Sequence, residues 1–407
     1  MFTYKKDEFK ISIKSWIPEK DYYNDRAMVV QCENLAKLPF AFHHIALSPD
    51  GHVGYGMPIG GILATENAIV PNAVGVDIGC GMCAVKTSLT EIDVDTLKRI
   101  MGIIRQIVPV GFKHHRKAQD ESLMPMFKRR QGGDEYFKNN LPIVNEEWES
   151  ARRQIGTLGG GNHFIEIQKG EDQYIWIMIH SGSRNLGKKV ADYYNKLAVL
   201  LNQKWNSQVP KEWELAFLPI DSEEGQAYLR EMQYCVDFAL ANRSTMIYRI
   251  MDAFKRSVIK YDNQEKVGFD EIINIAHNYA CLENHFGKNV WVHRKGSTLA
   301  RRGTIGIIPG SQGTNSYIVE GKGNRDSFQS CSHGAGRIMG RKKAIESLSL
   351  SGEIKKLDNQ GILHAIRGKQ DLDEAPGSYK PIDEVMENQK DLVKIKIKLR
   401  PLAVIKG

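Results

Sequence analysis

Cysteine is scarce in this chain: six in 407 residues, at Cys32, Cys80, Cys83, Cys235, Cys281 and Cys331. That disfavours a disulfide-stapled scaffold and points to a reducing compartment. A second Cys-x-x-Cys to match Cys80-Gly81-Met82-Cys83 is missing, which weakens a four-cysteine structural zinc site. No apolar run reaches the roughly 20 residues of a membrane span. The N-terminal MFTYKKDEFKISIKSW carries no apolar signal-peptide core. The expectation is a cytoplasmic protein without membrane association. Low-complexity linkers, internal repeats and abrupt shifts of composition are also lacking, and strand and helix patterns do not alternate in a βαβαβ rhythm.

What is present supports a large folded unit. The hydrophobic fraction of 42% is enough for a sizeable core, and the 26% charged fraction is ordinary for a soluble protein. The net charge of +8 favours an anionic partner, although a merely basic enzyme fits it equally. Segments 42–48, 174–180 and 304–310 read as buried strands, and 393–400 as a half-buried strand with a cationic outer face. Residues 186–206 and 223–259 read as helices, the second with acidic residues first and basic ones last, as the helix dipole favours. The fold class expected is α+β: one domain over 1–407, layered mixed sheets, and a mostly helical segment at about 186–259.

Five glycine-bordered patches carry metal-capable or nucleophilic side chains. In VGVDIGCGM, Asp77 and Cys80 sit three apart on a turn, so both can point at one ion, and a thiolate can bridge two. His163 follows a glycine-rich run, GTLGGGNHFIEI, of the kind that cradles phosphate with backbone N–H groups; it does not match the dinucleotide fingerprint. His180 ends an apolar strand ahead of Ser181-Gly182-Ser183-Arg184. Taken alone, either histidine also reads as a satisfied structural residue. His277 precedes Asn278 in INIAHNYA, where a polar helix surface is the plain alternative. His333, in CSHGAGR, has small neighbours that leave room for a substrate, so it suits a ligand or a nucleophile attacking phosphorus; the plain alternative is a flexible turn. If the patches converge, they form an Asp/Cys/His metal centre with a histidine to spare, suited to metal-assisted chemistry on a phosphate or carbonyl. The basic segment 111–131 fits a nucleic-acid backbone or, equally, a solvated loop.

These segments, with SPDGHVGYG (48–56), IPGSQGTNSYIV (308–319) and the terminal VIKG, resemble the RtcB family of RNA-splicing ligases over nearly the full length. The resemblance implies a GTP-dependent enzyme joining RNA 3′-phosphate or 2′,3′-cyclic phosphate ends to 5′-hydroxyl ends, in RNA repair or tRNA splicing. It implies two Mn²⁺ ions held by Asp77, Cys80, His163, His180 and His277, with Cys80 bridging; the ligand types alone also suit zinc or iron. It implies His333 as the guanylylated nucleophile, with Asp50 and His52 in the ligation step. The guanylate would lie against Asn162, His163, Phe164, Ile165, Glu166, His277, Asn278, Pro309, Gly310, Ser311, Gln312, Ser316, His333, Gly334, Ala335, Gly336, Tyr379 and Lys406. Partners would be RNA with those ends, with an activating accessory protein left open, and the protein itself a monomer. The sequence departs from the family's common pattern at Gly51, Gln312 and Gly160, none of which is a ligand or the nucleophile. Two rivals remain. A metal-dependent phosphoesterase acting on RNA ends would use the same ligands without covalent GMP. A non-catalytic RNA-end-binding protein would hold only a structural metal. His333 together with Lys406 and the PGS segment argues against both, since neither needs a guanylate pocket.

Overall fold

Strands that are apolar on one or both faces pair into two large sheets in the computed structural model, which describes residues 1–258 and 267–407. The first sheet has six strands in the order Phe2–Tyr4, Ser12–Ser15, Ala41–His52, Ile59–Thr65, Lys288–Lys295, Asn278–His285. Its one parallel pairing joins Ser12–Ser15 to Ala41–His52. The second has seven, in the order Ile273–Ala276, Gly81–Lys86, Ile175–Ser181, Phe164–Gly170, Val393–Lys406, Ser316–Gly321, Ile305–Ile308, all antiparallel. A shared core joins the two: Ala46, Ile62 and Val292 of the first meet Ile308, Tyr317 and Val319 of the second. The layered mixed α and β architecture is therefore as expected.

The strand expected at 393–400 runs further, to Lys406, and its alternation is imperfect. Between Ile318 and Val319 the register slips, so that Lys396 has no partner opposite it and Ile395 is exposed. Beyond Pro401 both faces are covered: Ala403, Val404 and Ile405 pass through the core. This burial delivers Lys406 to the interior.

The expected helices are present as Arg184–Lys204 and Glu223–Ser257; position 259 lies outside the described residues. Ser222 caps the longer one by accepting from the Gly225 N–H at 3.0 Å, an arrangement worth about 1 kcal/mol. That helix packs with Val94–Ile107 on one face of the seven-stranded sheet, burying Met246, Ile250 and Phe254 against Ile165, Ile177 and Ile179. Segment 111–131 is only partly a loop, since Phe127–Gln131 is helical. No helix among the described residues is long and apolar enough to cross a membrane.

Candidate metal centre and nucleotide cleft

The two sheets meet where the chemical patches converge. Asp77 and Cys80 lie on the turn between a short helix, Pro71–Val74, and the strand Gly81–Lys86. His163 immediately precedes the strand Phe164–Gly170, and His180 sits opposite Phe164 and Met82 on the neighbouring strand. His277 occupies the single residue between Ile273–Ala276 of one sheet and Asn278–His285 of the other. It is a sheet-to-sheet crossover residue, not a helix-surface residue, and its N–H donates to the Cys80 carbonyl at 2.8 Å. The turn is possible because Gly79 has φ +74, and a Cβ there would stand 2.8 Å from the Cα of Val236.

Two donor triads result, Asp77/Cys80/His163 and Cys80/His180/His277, each with its ligand atoms within 4.8 Å of one another and Cys80 in both. Their protons can be counted. His163 Nδ1 lies 3.0 Å from the Leu158 carbonyl and His180 Nδ1 lies 3.1 Å from the Asn162 carbonyl. Carbonyls only accept, so both Nδ1 atoms carry hydrogen and both Nε2 atoms present lone pairs. Those Nε2 atoms face Cys80 Sγ at 3.5 and 3.2 Å, and His163 Nε2 also faces Asp77 Oδ2 at 3.0 Å. One thiol proton cannot satisfy this many acceptors. The donor set therefore fits a cation, and the shared sulfur fits two.

Electrostatics agree. Burial pushes His180 and His277 well below the usual histidine range, keeping them neutral. Burial raises Asp77, but positive charge shared with the His163 nitrogen beside it, a proton or a bound cation, more than offsets this and holds it at about 2, a carboxylate. Burial and then Asp77 push the Cys80 thiol far up, so forming the thiolate requires a neighbouring positive charge. Beneath the cluster, fully buried Arg243 donates to the Gly79 and Ser181 carbonyls, both at 2.8 Å, and to Asn274 Oδ1 at 2.8 Å. It ties the Cys80 turn to the His180 strand. No sequence signal marks it, because an arginine in a helix ordinarily reads as a solvated face.

His333 stands beside the cluster, its ring 4.8 Å from that of His277. Its Nδ1 donates to Asp50 Oδ2 at 2.6 Å, and the same oxygen accepts the N–H groups of His333 and Gly334 at 3.1 and 3.3 Å. Burial opposes charge on Asp50, yet the bonded His333 ring, with smaller help from Ser332 and Lys380, brings it below the usual carboxylate range. The imidazole is thus locked with a lone pair at Nε2. His333 is no flexible turn. His52 is oriented similarly by the Asp50 carbonyl at 2.9 Å, and desolvation pushes it down to about 4.

Asp77, Cys80, His180, His277, His52 and His333 line one cleft of about 1210 Å³, larger than the roughly 300–1,000 Å³ of a small-molecule site, with His163 and Asp50 bonded behind its wall. Its walls include Asn162, Phe164, Glu166, Pro309 through Gln312, Gly334 through Gly336, Tyr379 and Lys406. Glu166 is buried and bonded by Gln168 at 2.6 Å; burial lifts it to about 8 against the pull of Gln168 and Lys406. Burial likewise lowers Lys406, opposed by Glu374, Asp373 and Glu166. Tyr379 donates to Glu374, which also receives Arg337 at 2.9 Å and Arg341 at 2.8 Å. Ile165 and Ser316 stand behind the wall: Ile165 is in the core, and Ser316 Oγ accepts from Gln168 and Gly310. Asn278 uses its amide as a strut, donating to the Asp77 carbonyl at 3.0 Å and accepting from Gly296 N–H at 2.7 Å.

Lys295 is among the cleft residues that escaped the sequence reading. Buried and lowered by that burial to about 7, it donates to the carbonyls of Tyr55 at 2.6 Å and Asn72 at 3.0 Å. Its signal, HRKG at the end of a strand, is too short to separate from an ordinary edge lysine.

Comparison with known proteins gives one consistent result. The model of the family described as tRNA-splicing ligase RtcB matches residues 31–407. An RNA-splicing ligase RtcB of Escherichia coli K12 is 38% identical over 387 residues, covering 93% of each chain. A tRNA-splicing ligase RtcB of Nanoarchaeum equitans is 33% identical, covering 96% of this chain and 95% of its own. An RNA-splicing ligase RtcB homolog 2 of Entamoeba dispar is 30% identical, covering 98% and 87%.

Proposed function

The chain belongs to the RtcB family of tRNA-splicing ligases, and on that premise we propose that it is a GTP-dependent RNA ligase working through a guanylylated His333. The observation that carries this reading is one cleft holding three things: a histidine with a fixed Nε2 lone pair, two donor triads sharing Cys80, and a buried Glu166/Lys406 pair. Asp77, Cys80, His163, His180 and His277 would hold two Mn²⁺ ions, which when bound neutralise phosphate charge and act as Lewis acids.

His333 Nε2 attacks the α-phosphorus of GTP; the P–N bond forms as the bond to pyrophosphate breaks. Asp50 accepts the Nδ1–H throughout and stabilises the positive charge that develops on the ring. An oxygen of the RNA 3′-phosphate then attacks that phosphorus, restoring His333 and capping the RNA end with GMP. The 5′-hydroxyl oxygen finally attacks the RNA 3′-phosphorus, the bond from that phosphorus to the GMP oxygen breaks so that GMP departs, and the hydroxyl proton passes to solvent. Capping matters because a bare phosphate dianion repels a nucleophile and has no good leaving group. A 2′,3′-cyclic phosphate is first opened by water to the 3′-phosphate. His52, neutral and held beside Asp50, belongs to the joining step.

A label on the RNA 3′-terminal phosphate decides between ligase and phosphoesterase. With Mn²⁺, GTP and 5′-hydroxyl RNA under single-turnover conditions, it is expected in an internal diester resistant to phosphatase, and a 5′-phosphorylated acceptor should not be joined. Release of labelled phosphate without GTP, and no joined product, would overturn the ligase in favour of the hydrolase.

Base selection follows from the two buried ends of the pocket. Guanine offers N1–H and an N2 amine to Glu166, which stabilises its carboxylate, and O6 to Lys406. Adenine offers neither set and leaves both buried groups unpaired. Transfer from ATP should be slower by about 10⁴-fold in kcat/KM, as for sites built around one hydrogen-bond pattern. Comparable rates of nucleotidyl transfer from ATP and GTP at equal concentration would refute the assignment.

A further inference from the structure

The basic segment 111–131 divides into two unlike halves. In the second, both arginines are already used, although Lys128 is exposed: Arg129 stacks 4.1 Å over Tyr136, and Arg130 lies 4.4 Å over Trp148 and bonds Asn145 at 2.7 Å. In the first, Lys113, Arg116 and Lys117 are exposed and make no ion pair among the described residues, and no acidic residue occurs from 109 to 119. At its tip Phe112 is 100% exposed, the most exposed large apolar side chain described.

This loop is held firmly by its backbone. Gly111 N–H donates to Gly159 carbonyl at 2.8 Å, Leu158 N–H to Pro109 carbonyl at 2.9 Å, and His115 N–H to Arg153 carbonyl at 3.0 Å. Arg184 donates to the Gly111 carbonyl at 3.3 Å, and Arg249 to His115 Nε2 at 3.0 Å. The anchor is the segment that orients the metal centre. The Leu158 carbonyl fixes His163 Nδ1, and a Cβ at Gly159 would stand 2.7 Å from that atom. Phe112 is therefore displayed on a loop tied to the segment that orients the cluster, with its ring fully exposed rather than packed in the core.

We propose that Phe112 is a base-stacking platform for a single-stranded RNA end, with Lys113, Arg116 and Lys117 tracking its phosphates. An exposed aromatic among unpaired cations is the combination that binds single-stranded nucleic acid without reading sequence, because every base has a stackable face. A pre-ordered loop gives up little entropy on binding. The proposal rests on the ligase reading and adds a binding residue to it.

The test uses the full-length protein, Mn²⁺ without GTP, and a fluorescein-labelled ten-nucleotide single-stranded RNA carrying a 3′-phosphate, read by anisotropy. Phe112→Ala should weaken binding about tenfold or more, while Phe112→Trp restores it. Replacing one base by an abasic site should cost the wild type a similar factor and Phe112→Ala almost nothing. The triple variant Lys113→Ala/Arg116→Ala/Lys117→Ala should flatten the plot of log affinity against log salt by about two units, whereas Phe112→Ala leaves its slope unchanged. All variants should guanylylate His333 at the wild-type rate without RNA. Wild-type ligation together with unchanged RNA affinity in Phe112→Ala overturns the platform and leaves the ligase reading standing. Absence of both RNA binding and guanylylation in the wild type overturns both.

Discussion

Replacing His333 with alanine should abolish the covalent GMP–protein species seen by intact mass after incubation with GTP and Mn²⁺, while metal content stays at the wild-type level. The two halves of this result come from different parts of the geometry. Nε2 of His333 is the cleft's one imidazole nitrogen whose partner atom is fixed by a carboxylate and which lies outside both donor triads. Removing it removes the nucleophile without removing a ligand. Asp50→Asn should keep the histidine but weaken control of its tautomer and of the developing charge, slowing guanylylation by about a hundredfold or more. Covalent GMP persisting in His333→Ala would show that another residue carries it.

Cys80→Ala should lose both metal ions and all guanylylation, whereas Cys83→Ala should retain both. Cys80 is the one residue common to the two triads, so a single sulfur is asked to complete two sites. Cys83 lies two residues into the next strand with its thiol among Ile100, Ile165 and Ile179, where burial raises it to about 12. It behaves as a small hydrophobe, and its truncation should cost about 1–2 kcal/mol of stability. Elemental analysis of the purified variants separates the cases. Equal metal in wild type and Cys80→Ala would remove the bridging role, and metal loss from Cys83→Ala would point to the Cys-x-x-Cys pair instead.

The local chemistry was legible in the chain itself. Glycine-bordered Asp, Cys and His patches declare ligand types, the alternation at 393–400 declares a strand, and acidic-then-basic flanks declare the long helix. These follow from nearest-neighbour physics: backbone freedom at glycine, side-chain period and the helix dipole. Tertiary structure alone decided which groups meet. His277 reaches the cluster because it bridges two sheets, Lys406 reaches the cleft because a buried strand carries it through the core, and Arg243 props the Cys80 turn because a helix crosses beneath it. The same decision split one basic segment into cations spent on Tyr136 and Trp148 and cations left facing solvent around Phe112. Period and propensity act over a few residues. Proton counting around Cys80 and desolvation of Glu166 depend on atoms tens to hundreds of positions apart, which only the packed sheets bring within bonding distance.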